Sequence, residues 1–400
     1  MEEQTADILI IGGGVAGIAA AVGASENNSV LLIDANGYLG GNATVSEVGT
    51  ICGLYHFSYG DKSTYISDGF MKEFAERIQS HSNSKPIKNK FGLHFLPYDT
   101  EVFKKVALGI LKENNISYVL NSRVKEVNQE GKAIKSIVVN CGKDLKKINC
   151  SAIVDCSGVS IISELANQPL LNSGLYQSAA IVFEISNIDI SSEFGVNILL
   201  AKHVNMFNSN HKKKKSFHST HVIPGSFKNN SAKFKMGIPV QVTDDKENHD
   251  LLKRIGRELV QEFFEILKKE IIAFKDSTLD HIADDIGIRV QKRPIGKYVL
   301  EEADIIECRK FPNAIAKSAW PIEEWNEDLK VSISQSKEDD WYEIPKEALL
   351  SKKINNLFFG GKNISATDRA IGSARVMGVC LQTGFSAGEI ALEFTKNSFK

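Results

Sequence analysis

The feature that most constrains this chain is its opening. Ile8-Leu9-Ile10-Ile11, four apolar residues in a row, breaks into Gly12-Gly13-Gly14-Val15-Ala16-Gly17. An uninterrupted apolar run fits a strand buried on both faces of a parallel sheet. The glycines fit G-x-G-x-x-G: Gly12 permits a tight turn, Gly14 lets a diphosphate approach the backbone, and Gly17 lets helix and strand lie close. Ile18 to Ala24 reads as the helix, whose first N–H groups and positive dipole end suit a phosphate. Val30-Leu31-Leu32-Ile33 is the next strand, and Asp34-Ala35 ends it where a carboxylate accepts hydrogen bonds from a ribose diol. This order predicts a dinucleotide-binding βαβ unit. The competing reading is an ordinary glycine turn with Asp34 as a solvated strand-end acid.

The apolar stretch Ile8 to Ala24 is not expected to be a signal peptide or a membrane span. The residues before it are acidic, and Gly12, Gly13, Gly14 and Gly17 interrupt it. With 48 basic and 49 acidic residues the net charge is −1, so no overall field favours nucleic acid or an anionic membrane. Six cysteines at 52, 141, 150, 156, 308 and 380 form no CxxC pair and no Cys/His cluster, so no metal site is expected. A chain of 400 residues does not need disulfide staples, and the cysteines read as reduced thiols of a cytoplasmic protein.

The identity of the dinucleotide turns on Gly37-Tyr38-Leu39-Gly40-Gly41-Asn42-Ala43-Thr44, a second glycine-bearing loop where an NAD domain ordinarily begins a helix. Here the sequence resembles the two-dinucleotide-binding-domain flavoproteins, whose N-terminal glycines and following Gly-Gly loop hold FAD. The likeness continues along the chain. Ser122 to Val127 and Ile134 to Val139 flank Gly131 as a hairpin of a meander, and Val124 matches the valine whose backbone meets the adenine. Ala152 to Asp155 followed by Cys156-Ser157-Gly158 resembles the family's strand ending in Ala-Thr-Gly, with different letters but equally small residues. Asn356 to Phe359 followed by Gly360-Gly361-Lys362-Asn363 resembles the closing flavin motif, with Lys362 where an acid commonly stands. Arg369 to Met377 leads into a helix from Gly378 to Leu392, and Gly384 and Gly388 allow close packing. In the resemblance that helix start, with Val376 and Met377, faces the flavin pyrimidine.

The segment 286–300, with Ile364 to Ala370 and Arg375 to Met377, is similar to the group labelled FAD-dependent oxidoreductases. The implied fold class is α/β: a Rossmann-type FAD-binding domain of parallel sheet, helices and β-meander, plus an inserted α+β substrate domain. The expected division is 1–165 and 350–400 for FAD, with 166–349 inserted. Within the insert, Ser178 to Ile185 and Lys235 to Val240 read as strands and Asp250 to Ala273 as an amphipathic helix. Asn208 to Lys215 reads as a basic loop, solvated or a docking patch for an acidic partner.

Flavin performs the electron transfer itself, so the protein supplies position and charge. Arg289 and Arg375 are the first candidates, as fixed cations near the flavin, against a reading as ordinary ion pairs. Cys52 offers a redox thiol or attachment point, against a buried small hydrophobe. His56 and His94 read as hydrogen-bonding structural histidines, against an acid–base group for a substrate or, in the resemblance, a covalent flavin link. Trp320, Trp325 and Trp341 read as packing or as the wall of a substrate cleft. The expected function is flavin redox chemistry on a small-molecule or protein substrate, by dehydrogenation or by oxygen insertion with an external reductant. A monooxygenase acting on a partner protein's tryptophan during quinone-cofactor maturation and a non-catalytic FAD module are the alternatives. No second GxGxxG marks a separate NAD(P)H domain.

Overall fold

The computed structural model describes residues 2–398 apart from 90, 143, 173–175, 211–219, 327–330 and 335–336. The opening apolar run lies within a ten-residue strand, β1 (Glu2–Ile11), and the helix α1 (Val15–Ala24) begins three residues earlier than the sequence suggested. The early start has a physical basis: Gly14 caps α1 with no side-chain hydrogen bond, leaving its first N–H groups unclaimed by a cap.

The main sheet has the order β3-β2-β1-β6-β5-β4, where β2 is Val30–Ile33, β3 Ser117–Val119, β4 Ser122–Glu130, β5 Ala133–Cys141 and β6 Asp144–Asp155. Its pairs β1 with β2, β2 with β3 and β1 with β6 are parallel. The twelve-residue β6 serves two partners along its far side. Its first half pairs antiparallel with β5 of the predicted hairpin, and Ile153–Asp155 pair parallel with a late strand, Leu357–Phe359. The chain therefore returns near its end to the edge where the glycine turn emerges.

A second sheet, fully antiparallel, has the order β8-β9-β7-β10, with β7 Ala180–Ser186, β8 His221–Val222, β9 Ala232–Gly237 and β10 Thr278–Ile282. The amphipathic helix α2 (Lys246–Glu270) covers it, four residues earlier at its start and three shorter at its end than expected. Phe183 stacks on Phe234 at 5.4 Å and meets Phe263 of α2 at 6.4 Å. Strand β9 stops at Gly237, ahead of Pro239, which has no N–H to give a ladder. Of the expected basic loop, 208–210 end a helix (Glu193–Asn210) and 211–215 lie outside the described residues.

The last two helices, α3 (Asp368–Ala374) and α4 (Met377–Ser398), follow the late strand. A β-carbon on Gly384 would collide with the Ala16 carbonyl, one on Gly388 with the Ala20 carbonyl, and one on Gly23 with the Phe385 carbonyl. Helices α1 and α4 are thus interlocked backbone to backbone, which only glycine permits at these points.

Candidate functional site

The glycine turn shapes one end of a cavity of about 400 Å³. Gly12, at φ +101°, lies against β6, where a β-carbon would sit 2.6 Å from the Cys156 carbonyl oxygen. Gly13 donates its N–H to the Asp34 carboxylate, which also accepts from Asn36 N at 2.6 Å. Burial pushes the Asp34 carboxyl up, while the N–H donors of Asn36 and Gly13 pull it down. Gly14 is different: a β-carbon there would find only Gly41 Cα, at 3.9 Å, so that face of the turn is open. The second glycine loop forms a short 3-10 turn (Gly41–Ala43) rather than a helix, with Gly40 at φ +113° bridged to Gly14.

Of the residues singled out in the sequence, Gly12, Gly14, Val15, Ala16 and Asp34 line the cavity from β1 to β2. Gly40, Gly41 and Asn42 line it from the second loop, and Cys156, Ser157 and Gly158 from the end of β6. Cys52, Arg289, Arg375, Val376 and Met377 complete that group. Others stand outside it. Gly17 is pressed onto the Gly12 carbonyl and Gly361 onto Ala16, Gly13 is engaged with Asp34, and Ala35 is not part of the wall. Val124 packs on the apolar cluster beneath the main sheet. His94 is buried away from the cavity wall, and His56 contacts Trp341 at 5.6 Å.

The other end of the cavity carries charge that the sequence only partly revealed. Arg289 donates to the Ser178 carbonyl and lays its guanidinium over the Trp325 ring at 4.7 Å. Arg375 reaches Glu323 at 3.5 Å, and its Nε is buried with no hydrogen-bond partner. Lys235, on β9, enters from the second sheet. Lys362 donates to the Ile288 carbonyl at 3.0 Å, and the same carbonyl accepts from the Asn42 amide at 3.2 Å. Arg289, Arg375 and Lys235 therefore share this space with Glu323, while Lys362 stands beside Gly158. Burial and Arg289 hold the Lys235 ammonium down to about 8, and burial holds Lys362 down to about 8. Burial and Arg375 press Arg289 down to about 9, still charged at neutral pH.

Lys235 and Glu323 were missed by sequence reasoning. The alternation in Ala232-Lys233-Phe234-Lys235-Met236 was a signal, since it sets both lysines on the face opposite the buried Phe234 and Met236. Cys52 is governed by burial, then by Glu323, which together push its thiol up to about 12. A neutral thiol fits packing better than nucleophilic work. Of the tryptophans, Trp320 and Trp325 line the cavity, whereas Trp341 lies under Lys310 and Lys317. The described cysteines are all free thiols, and no metal-binding cluster of His, Cys, Asp and Glu occurs among the described residues.

A family model described as FAD dependent oxidoreductase matches residues 7–398. No curated protein matches the sequence. Among solved structures, a geranylgeranyl bacteriochlorophyll reductase-like protein from Thermoplasma acidophilum is 11% identical with TM-score 0.50, covering 99% of this chain and 79% of that one. The OxyS anhydrotetracycline hydroxylase from Streptomyces rimosus is 8% identical with TM-score 0.51, covering 99% of this chain and 63% of that one. These likenesses establish the fold. The chain belongs to the FAD dependent oxidoreductase family, and FAD is its cofactor. Its own geometry fits that group: the open face of Gly14, the uncapped start of α1 without an acid in its first turn, and the absence of acids in the first turn of α4 all suit an anionic dinucleotide.

Proposed function

We propose that this FAD-dependent oxidoreductase exchanges electrons between its flavin and a small molecule held between the glycine cradle and the antiparallel sheet. The observation that carries this is one cavity with two unlike walls. One consists of glycines, small residues and helix starts; the other of Arg289, Lys235, Glu323, Trp320 and Trp325.

Bound FAD supplies two-electron oxidation and reduction. The chain supplies the rest. Gly12, Gly14, Val15 and Ala16 would hold the diphosphate at the start of α1, and Asp34 would take the ribose diol, with Ala35 following it. Gly40, Gly41 and Asn42 close over the cofactor, and Cys156, Ser157 and Gly158 pass beside it. Gly13, Gly17, Val124 and Gly361 brace these contacts from behind. Val376 and Met377, at the start of α4, would meet the ring, where Arg375 and Lys362 would supply positive charge. Arg289 faces the substrate, and Cys52 is wall. In this reading residues 1–165 and 350–400 hold FAD and 166–349 supply the substrate side, a division supported by a cavity lined from all three stretches. Free thiols throughout the described chain support a reducing, cytoplasmic setting. No helix among the described residues is long and apolar enough to cross a membrane.

The test is the visible spectrum of the purified protein, followed through reduction without oxygen and then on mixing with air. The expected result is one reducible FAD per chain. A colourless protein that cannot be reconstituted with FAD overturns the reading.

A further inference from the structure

The charge at the insert end of the cavity exceeds what the protein itself neutralises. Among the described residues Glu323 is the carboxylate facing these cations, and it is engaged by Arg375. Asp285, also on the wall, is engaged by His249 at 3.2 Å and Lys253 at 3.8 Å. Lys235 has no hydrogen-bond acceptor among the described residues, although it lines the cavity. Arg289 spends one N–H on the Ser178 carbonyl and holds its plane against Trp325, which fixes the direction of the guanidinium. The Trp320 Nε1 donor is buried without a partner on the same wall, as is the Arg375 Nε facing it across the cavity. Buried donors and ammonium groups left in this state are costly unless something accepts from them.

The diphosphate does not account for this cluster, because its cradle is Gly14 and the start of α1. Lys235 instead interacts with Arg289 and Glu323 of the insert, and with Cys52 and Arg375 where they face it across the cavity. Lys362 is tied to the Ile288 carbonyl. The uncommitted positive charge is that of Arg289 and Lys235.

Resting on the reading of the cavity as a flavin site, we propose that the substrate carries a carboxylate, gripped by the Arg289 guanidinium and the Lys235 ammonium beside the Trp325 ring. A carboxylate suits the site better than a phosphate dianion. The planar fork of one arginine matches two oxygens, and Glu323 stands close enough to disfavour a second negative charge. Trp320 and Trp325 give the rest of the molecule an apolar, flat surface.

The experiment uses the FAD-loaded protein and three phenyl probes: the isosteric pair benzoate and benzamide, and the larger phenyl phosphate. Binding is read from the change in the flavin's visible spectrum and independently by calorimetry. Benzoate is expected to bind at least tenfold more tightly than benzamide and than phenyl phosphate. Arg289→Met and Lys235→Met should each weaken benzoate at least tenfold while leaving benzamide within threefold. Arg289→Lys, which keeps charge but loses the fork, should lie between. Flavin content and melting temperature of each variant are measured first, so that loss of fold or of FAD is not read as loss of anion binding. Equal binding of benzoate and benzamide to the parent, tighter phenyl phosphate, or unchanged benzoate affinity in folded, FAD-loaded variants overturns the proposal while leaving the flavin reading intact. A protein without FAD overturns the flavin reading instead.

Discussion

The ammonium of Lys362 donates to the carbonyl of Ile288 across 3.0 Å, and so ties the glycine-rich segment after the late strand to the residue before Arg289. A half-buried cation at this point replaces the acid expected there from the flavoprotein resemblance. It joins the two walls of the cavity and adds charge to the cofactor side.

Removing that charge should make reduced flavin less favourable. Lys362→Met is expected to lower the midpoint potential by about 30 mV or more, equivalent to about 1.4 kcal/mol for a two-electron couple. A redox titration against a reference dye checks it. A potential equal to that of the parent would assign Lys362 to joining the walls alone.

Two glycines of the same turn should fail in different ways. At Gly14 a side chain enters open space, so Gly14→Val should fold and melt within a few degrees of the apo parent, yet purify with less than a tenth of the parent's flavin. At Gly17 a β-carbon collides with the Gly12 carbonyl, so Gly17→Val should not accumulate as folded protein. Thermal melts with flavin absorbance separate the two; full flavin in Gly14→Val would contradict the cradle.

Anion binding should depend on pH through Lys235. Burial and Arg289 hold its ammonium down to about 8, opposed by Glu323 and Cys52 and reinforced by Arg375. The group is charged below that value and neutral above it, so benzoate affinity should fall as pH rises through about 8. Lys362, also held near 8 by burial, titrates over the same range. Lys235→Arg should flatten the fall through about pH 8, short of the range near 9 where Arg289 begins to lose its own charge, whereas Lys362→Met should retain it. An unchanged slope in Lys235→Arg would assign the titration elsewhere.

Glu47 has a different task. It is buried at φ +48°, and its carboxylate accepts from Lys233 of β9 and lies 2.6 Å from His281 Nε2 of β10. It thereby fastens the loop beyond the cradle to the second sheet. Glu47→Ala leaves Lys233 without its anion and should destabilise by about 2–4 kcal/mol, nearer the lower figure because Lys233 is 24% exposed. Denaturant midpoints test this, with Glu47→Gln expected between parent and alanine variant.

The sequence was most legible where backbone geometry dictates the residue. Gly12, Gly14 and Gly17 each answer to a turn or a close approach, and those demands show in the letters. Strands β1 and β2 were legible because burial on both faces requires unbroken apolar runs. The charged end of the cavity was harder to read. Arg289 and Trp325 meet across 36 positions, and Glu323 joins Arg375 from a segment with no motif; such pairings come from tertiary packing, which leaves no local period. Lys235 was legible in part, since alternation gives the face of a strand but not what lies opposite.

The interlocking of α1 with α4 sets an order of events during synthesis. The first βαβ unit leaves the ribosome well before the wall formed by Arg375, Val376 and Met377 and the helix against which Ala16 and Ala20 seat. A nascent chain lacking α4 has a glycine turn and no completed cradle. Completion of the cradle is therefore coupled to docking of α4 on α1, and flavin loading is expected to report that these two distant segments have met.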